Sequence, residues 1–314
     1  MRPLSQPPMP PPERPSPRQE RLSFWLFRNL APRLPRIEQP EPPAELAPFE
    51  MVEIERPGRP GRLRGTWFPA GGPTAAPGAV LLLPPWIVWG RAYFHRRGRL
   101  EALREAGYHV LTVDFPGFGG SGPTAGFFDR DVADALRFLA ARAPGLPRHL
   151  WGISSGGYWA HMALSGLEPG PHGVRAAVFE DVSPHLLEWA GRAMPIARPC
   201  HLLFRTLFPK TFRFFDVRRH AGHLQVARAA YVSGERDPGV RPEETRELAR
   251  LAGAQVLIVP GAGHLEAIKL ATAEVVDLAL ATFAQGATPT LDARSLTPTP
   301  SPAPRRRPPG SGRR

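Results

Sequence analysis

The sequence predicts an α/β fold, a doubly wound and mostly parallel sheet with a small helical cap inserted between later strands. Three observations carry that expectation. Short continuous apolar runs, such as AVLLL at 79–83, have the composition of strands buried on both faces. These runs alternate with stretches whose apolar residues recur at helical spacing. A glycine-rich pentapeptide, Gly152-Ile153-Ser154-Ser155-Gly156, stands between an apolar run and a helix-like run and fits the G-x-S-x-G pattern.

The elements follow in order. Residues 1–20 are rich in proline and read as disordered or polyproline-like. Leu22–Leu30 is short, aromatic and flanked by arginines. It reads as a helix that packs on its own domain, with a peripheral membrane contact as the alternative. Pro32, Pro35, Pro40, Pro42 and Pro43 then make a linker. The folded body is expected at 49–286, with a Pro-rich, largely disordered N-terminal extension at 1–48 and a disordered basic tail at 287–314. Met51–Glu55 and Leu63–Phe68 alternate apolar and polar residues around Pro57–Gly61, a hairpin. Ala79–Leu83 and Tyr108–Asp114 are buried strands, separated by a helix at Arg97–Ala106. A helix at Arg130–Ala143 precedes the strand leading into Ser154, and Tyr158–Leu164 is the helix leading out. Further strands lie at Ala176–Glu180, Ala229–Ser233 and Gln255–Val259. Helices are expected at Pro242–Ala252 and Ala267–Phe283.

Composition narrows the function classes. The formal charge of +12 is uneven: residues 1–47 hold 7 Arg and 5 Glu, and residues 287–314 hold 6 Arg and 1 Asp. Most of the remainder sits in 183–225, with 7 basic and 2 acidic groups. The high isoelectric point therefore describes a tail and an insertion, and a nucleic-acid partner is not required by it. Cys200 is the sole cysteine, which excludes an intrachain disulfide and a cysteine-cluster metal site. The opening residues lack the apolar core of a signal peptide, so a cytoplasmic location is the expectation. No cofactor and no metal is expected.

The chemistry centres on Ser154. A serine on a sharp strand-to-helix turn projects its oxygen above the sheet edge. Gly152 and Gly156 suit that turn because strand and helix pass too closely for a Cβ. Downstream, Asp237 leaves the strand at 229–233 and His264 leaves the strand at 255–259. Both loops lie at carboxyl ends of strands, where open α/β sheets place their sites. The order Ser154, Asp237, His264 matches the Ser…Asp…His order of a nucleophile, its orienting acid and its base. Glu235 and Asp181 are weaker candidates for the acid.

With these features the chain resembles the α/β-hydrolase superfamily, of the esterase, lipase and serine aminopeptidase kind, over about residues 49–286. The segment 114–121, DFPGFGGS, resembles the D-x-P-G-x-G-x-S turn of many members, and Gly261-Ala262-Gly263-His264 resembles their G-x-G-H loop. The resemblance implies a serine hydrolase that cleaves a carboxylic ester or related acyl compound through an acyl-enzyme. Amidase, peptidase or lysophospholipase activity on the same triad, and a non-catalytic binding protein, are the alternatives. It also implies an oxyanion hole from the backbone N–H of Ser155 and a second donor after the strand at 79–83. Pro84 and Pro85 have no N–H, so Trp86 is the first available donor, with Ile87 next. The insertion 183–225 falls where the family places its cap. Its aromatic residues, Trp189, Phe204 and Phe208 among them, are expected to line an apolar substrate pocket with Trp89. Its basic groups leave an anionic substrate open. Asp114 reads as structural, as do His95, His161, His172 and His185. The expected partner is a small acyl substrate, with no obligate nucleic acid and an undetermined oligomeric state.

Overall fold

The computed structural model describes residues 12–30, 39–71, 75–85, 90–96, 98–124, 127–165, 173–193 and 198–287. It contains eight strands: β1 Glu50–Ile54, β2 Leu63–Phe68, β3 Ala79–Leu83, β4 His109–Val113, β5 Arg148–Ile153, β6 Val174–Glu180, β7 Arg228–Gly234 and β8 Gln255–Val259. They form one sheet in the order β1-β2-β4-β3-β5-β6-β7-β8. The hairpin β1–β2 is antiparallel, and β2 is antiparallel to β4; every pairing from β4 to β8 is parallel.

The strand order sets the position of the site. The chain moves from β3 outward to β4, then returns across β3 to build β5 to β8 on its other side. The switch point is therefore between β3 and β5, and crevices above such points hold ligands in open α/β sheets. Residue 154 follows β5 and residues 84–85 follow β3, so the glycine-rich turn sits at that crevice.

Period-two side-chain alternation divides the core into two layers. Ala79, Leu81 and Leu83 face one layer with α3 (Asp129–Arg142) and α4 (Ser155–Leu164), while Val80 and Leu82 face the other. That second layer is closed by α2 (Arg99–Glu105), by α10 (Ala267–Leu270) and by α11 (Thr272–Ala287). All five residues of β3 are fully buried. Truncating Leu81 to Ala would cost about 2–5 kcal/mol.

Four short helices lie between β6 and β7: α5 Leu186–Ala193, α6 Arg198–Leu207, α7 Pro209–Phe214 and α8 Arg218–Ala221. They form the helical cap on this sheet. Among the described residues the remaining α-helices are α1, Pro17–Leu30, near the N-terminus and α9, Pro242–Ala252, between β7 and β8.

Differences from the expected elements have local causes. α4 begins at Ser155 rather than Tyr158, because Gly156 and Gly157 are weak helix formers that hide its first turn. The expected closing helix is broken at Ala271, whose φ of −138° and ψ of 54° are not helical, and helical spacing continues on both sides of that one residue. α1 starts at Pro17, inside the stretch that reads as polyproline-like. Ser16 and Gln19 cap it: the Ser16 N–H donates to Gln19 Oε1 at 3.2 Å, and Ser16 Oγ accepts from the Gln19 N–H at 3.4 Å. Proline is well placed in a first turn. α1 packs on α7, with Glu20 and Ser23 buried. Arg14 ties this segment to α3 through Asp129 and reaches Glu20 at 3.3 Å. Residues 1–11 and 288–314 lie outside the described residues. Among the described residues, no helix is long and apolar enough to cross a membrane.

Candidate active site

Ser154 stands between β5 and α4 with φ 49° and ψ −116°, a conformation that a side-chain-bearing residue rarely holds. Two hydrogen bonds and two close backbone approaches impose it. Its N–H donates to Glu180 O on β6 at 2.7 Å, and its carbonyl accepts from the Tyr158 N–H at 2.9 Å. A Cβ on Gly152 would come 2.6 Å from Gly157 Cα, and one on Gly156 would come 2.5 Å from Leu83 O. Only glycine fits either position. Such backbone strain costs about 1–3 kcal/mol and persists only where the surroundings overdetermine it.

Behind the turn lies a buried ion pair that sequence reading passes over. Glu180, at the end of β6, accepts from Arg99 Nε at 3.1 Å and from Trp151 Nε1 at 3.3 Å. Both charged side chains have no solvent exposure. The available signal was a glutamate closing the apolar run 176–179. The backbone of this same residue holds Ser154, so the pair braces the turn from below.

The triad expected from chain order is brought together. Ser154 Oγ lies 3.1 Å from His264 Nε2, and His264 Nδ1 lies 2.6 Å from Asp237 Oδ2. A carboxylate only accepts, so Nδ1 carries the proton and Nε2 is left to accept from the serine hydroxyl. The other oxygen of Asp237, Oδ1, accepts from the N–H groups of Gly239 at 2.8 Å and Val240 at 2.9 Å. The carboxylate is thus fixed by its own loop. Burial opposes the charged form of His264, but the hydrogen bond and charge of Asp237 outweigh it, helped by Asp181 and Glu180. Its pKa accordingly lies above the ordinary value of 6.5.

Asp181 is close to the same imidazole but does another job. It is fully buried with φ 51°. Its Oδ1 accepts from the Gly234 N–H at 3.2 Å, and its Oδ2 accepts from the Leu265 N–H at 2.7 Å. It ties the end of β7 to the histidine loop. Leu265 also holds a positive φ, 62°, which turns the chain immediately after His264. Burial, then the charge of Glu180, pushes the Asp181 carboxyl well up from the carboxylate range. Glu235 accepts from the Gly261 N–H at 2.9 Å and also braces the histidine loop.

The ligand atoms of Asp181, Asp237 and His264 lie within 4.8 Å of one another, a spacing open to a cation. The donor set argues for another use. Both Asp181 oxygens already accept from backbone N–H groups, and the Asp237 oxygen nearest the imidazole faces its N–H. The cluster is organised to orient a proton.

A cavity of about 240 Å³ opens above Ser154. Among the described residues it is lined by Pro85, Ser155, Tyr158, Leu186, Trp189 and Leu265 beside Ser154, His264, Asp181 and Ser183, with no Arg or Lys. Trp189 of α5 takes its expected place, its ring centroid 6.1 Å from that of His264. Phe204 and Phe208 do not. Phe204 is 1% exposed and packs with Phe208 in the buried cluster that the cap shares with one face of the sheet, their centroids 5.5 Å apart. Their aromatic character serves packing, and neither reaches the cavity wall. Basic groups of the cap are engaged away from the cavity: Arg192 with Glu244 at 2.6 Å, and Arg218 with Glu247 at 3.1 Å. Ser155 is the first residue of α4, so its N–H is one that no carbonyl within the helix can reach. Trp86, Ile87 and Trp89 lie outside the described residues, as does the side chain of Cys200.

Other sequence-selected residues are structural. Asp114 accepts from the Arg91 N–H at 2.8 Å and the Gly120 N–H at 3.1 Å, which closes the 114–121 turn. His161 lies between Gly157 O and the Tyr231 hydroxyl, each at 2.7 Å, and His185 bonds Phe212 O at 3.0 Å.

Comparison with known proteins agrees with the fold. The sequence pattern described as the alpha/beta hydrolase family matches residues 76–278. An esterase of Pyrococcus furiosus superposes with a TM-score of 0.63 at 20% identity, over 79% of this chain and 99% of the esterase. A puromycin-hydrolyzing peptidase of Mycobacterium tuberculosis superposes with a TM-score of 0.59 at 16% identity, over 75% of this chain and 39% of the peptidase. A bromoperoxidase of Bacillus anthracis gives 0.53 at 19% identity, over 74% and 99%. These likenesses show the fold. No curated protein matches the chain.

Proposed function

We propose a serine hydrolase acting on small uncharged carboxylic esters, on the premise that the chain belongs to the alpha/beta hydrolase family. One observation carries the reading: the unbroken hydrogen-bond path from Ser154 Oγ through His264 to Asp237. His264 Nε2 takes the hydroxyl proton as Oγ attacks the acyl carbon. The resulting oxyanion is met by the Ser155 N–H, aided by the positive end of α4, and by the N–H of Trp86 as the proposed second donor. Collapse expels the alcohol, which takes its proton from His264. Water, activated by the same imidazole, then hydrolyses the acyl-enzyme. Asp237 holds the tautomer and stabilises the imidazolium.

The cavity supports the substrate class. At about 240 Å³ it is smaller than the roughly 300–1,000 Å³ usual for drug-sized ligands. Its described lining is mostly apolar and offers no cation to an anionic substrate. Labelling with a fluorophosphonate, followed by a panel of short and long esters and the matching amides, tests the reading. Labelling at Ser154 with turnover of short esters is expected. A chain that neither labels nor turns over any ester or amide is a binding protein on this fold, and preference for the amides makes it an amidase.

A further inference from the structure

We propose that the outer face of α6, with the exposed side of α1, a helix packed on the neighbouring α7, docks on an anionic lipid membrane. α6 is seated by one edge only. Phe204 is buried, whereas Leu202, Leu203 and Leu207 are 66%, 36% and 58% exposed. A single exposed leucine is ordinary, but three on a ten-residue helix make a patch.

Charge selects the occupant. Residues 189–215 hold five basic residues and no Asp or Glu. Arg205 on α6 and Lys210 and Arg213 on the adjoining α7 are exposed. Lys210 meets Glu13 at 3.6 Å, but both are half or more exposed, and water screens such a pair. α1 packs on α7 and adds a second strip of the same kind. Arg18, Leu22 and Trp25 recur at i, i+4 and i+7, and all three are exposed, opposite the buried Glu20 and Ser23. Leucine and tryptophan gain by leaving water, and arginine and lysine gain from anions. An anionic bilayer surface offers both within a few ångströms. Duplex nucleic acid would satisfy the arginines and leave the leucines wet. The chain's own tail, 287–314, carries six Arg and one Asp and is repelled by this face. Docking would bring the cavity close to the lipid, because α6 packs on α5, which supplies Leu186 and Trp189 to the cavity wall. One helix diameter is about 10 Å.

The test is co-sedimentation of the full chain with two vesicle types, pure phosphatidylcholine and equal parts phosphatidylcholine and phosphatidylglycerol. Binding to the second, weakened by salt, is expected. Leu202→Glu with Leu207→Glu should weaken it more than about tenfold. Arg205→Glu should weaken it roughly 25-fold, since two charges change and each is worth a factor of about five. Ser154→Ala should bind as the parent does, which separates docking from hydrolysis. Tm should not move; if the leucine pair lowers it, Arg205→Glu alone decides. The proposal fails if the chain ignores anionic vesicles or if both variants bind undiminished. It also fails if the leucine variant turns a dimer into a monomer by light scattering, since a second copy then covers the face. Sensitivity of duplex DNA binding to these variants, without vesicle binding, would overturn it too.

Discussion

Asp181 and Asp237 follow neighbouring strands, β6 and β7, and both side chains are buried beside His264. Their partners differ. Asp237 spends one oxygen on its own loop and aims the other at the imidazole. Asp181 spends both oxygens on backbone N–H groups, one at the end of β7 and one in the histidine loop. Proximity to a histidine therefore does not identify the orienting acid. The carboxylate with an oxygen left over after its backbone is satisfied can fill that role, and its neighbour becomes a strut.

The broadest way to break this comparison is to remove what both carboxylates serve. Ser154→Ala and His264→Ala should each lower kcat by up to about 10⁶, and the double variant should be scarcely worse, because the groups act as a unit. Steady-state ester hydrolysis with active-site titration reads this out. If Ser154→Ala hydrolyses esters normally, neither aspartate has a catalytic partner here.

Asp237→Asn should lower kcat by about 10³–10⁴ with Tm nearly unchanged, since the amide favours the wrong imidazole tautomer. Asp181→Asn should do something different. Its amide NH₂ would face a backbone N–H, leaving a buried donor unmet, a loss of about 1–3 kcal/mol. Tm should fall and kcat should drop only about tenfold, through a misplaced histidine loop. Reversed magnitudes would assign the acid to Asp181.

The pH profile sharpens the same contrast. His264 must be neutral to act as base, and its pKa is raised, so kcat/KM should climb with pH through a midpoint above 6.5. Hydrogen bonding to Asp237 is the leading cause that raises it, so in Asp237→Asn the midpoint should move to lower pH. A midpoint unmoved in Asp237→Asn but lowered in Asp181→Asn would invert the two roles. The smallest effect is expected at the cavity wall. Trp189→Ala should raise KM for short esters a few-fold while leaving kcat almost intact, as loss of apolar contact in a pocket does.

The sheet was largely legible in the sequence because its signals are local. Five apolar residues in a row at 79–83, bounded by Gly78 and Pro84, suit a strand covered on both faces, and the glycine spacing around Ser154 reports a close approach that the backbone then shows. The order Ser154, Asp237, His264 was legible for the same reason, since each residue sits just past a recognisable strand. The cap was less so. Its helices have apolar faces, but helical periodicity does not say whether Phe204 faces a cavity or a core, and it faces a core.

What the sequence by itself determined is the set of elements, the strained turn and the residues able to do acyl-transfer chemistry. The tertiary structure alone decided which carboxylate meets the imidazole, which aromatic residues line the cavity and how Arg99 and Glu180 brace Ser154 from below. The physical reason is range. Strand and helix patterns are set by neighbours a few positions apart, whereas these partnerships join residues 27 to 110 positions apart, as in Asp237 with His264 and Ser154 with His264. They exist only once the loops at the carboxyl end of the sheet have been folded against one another.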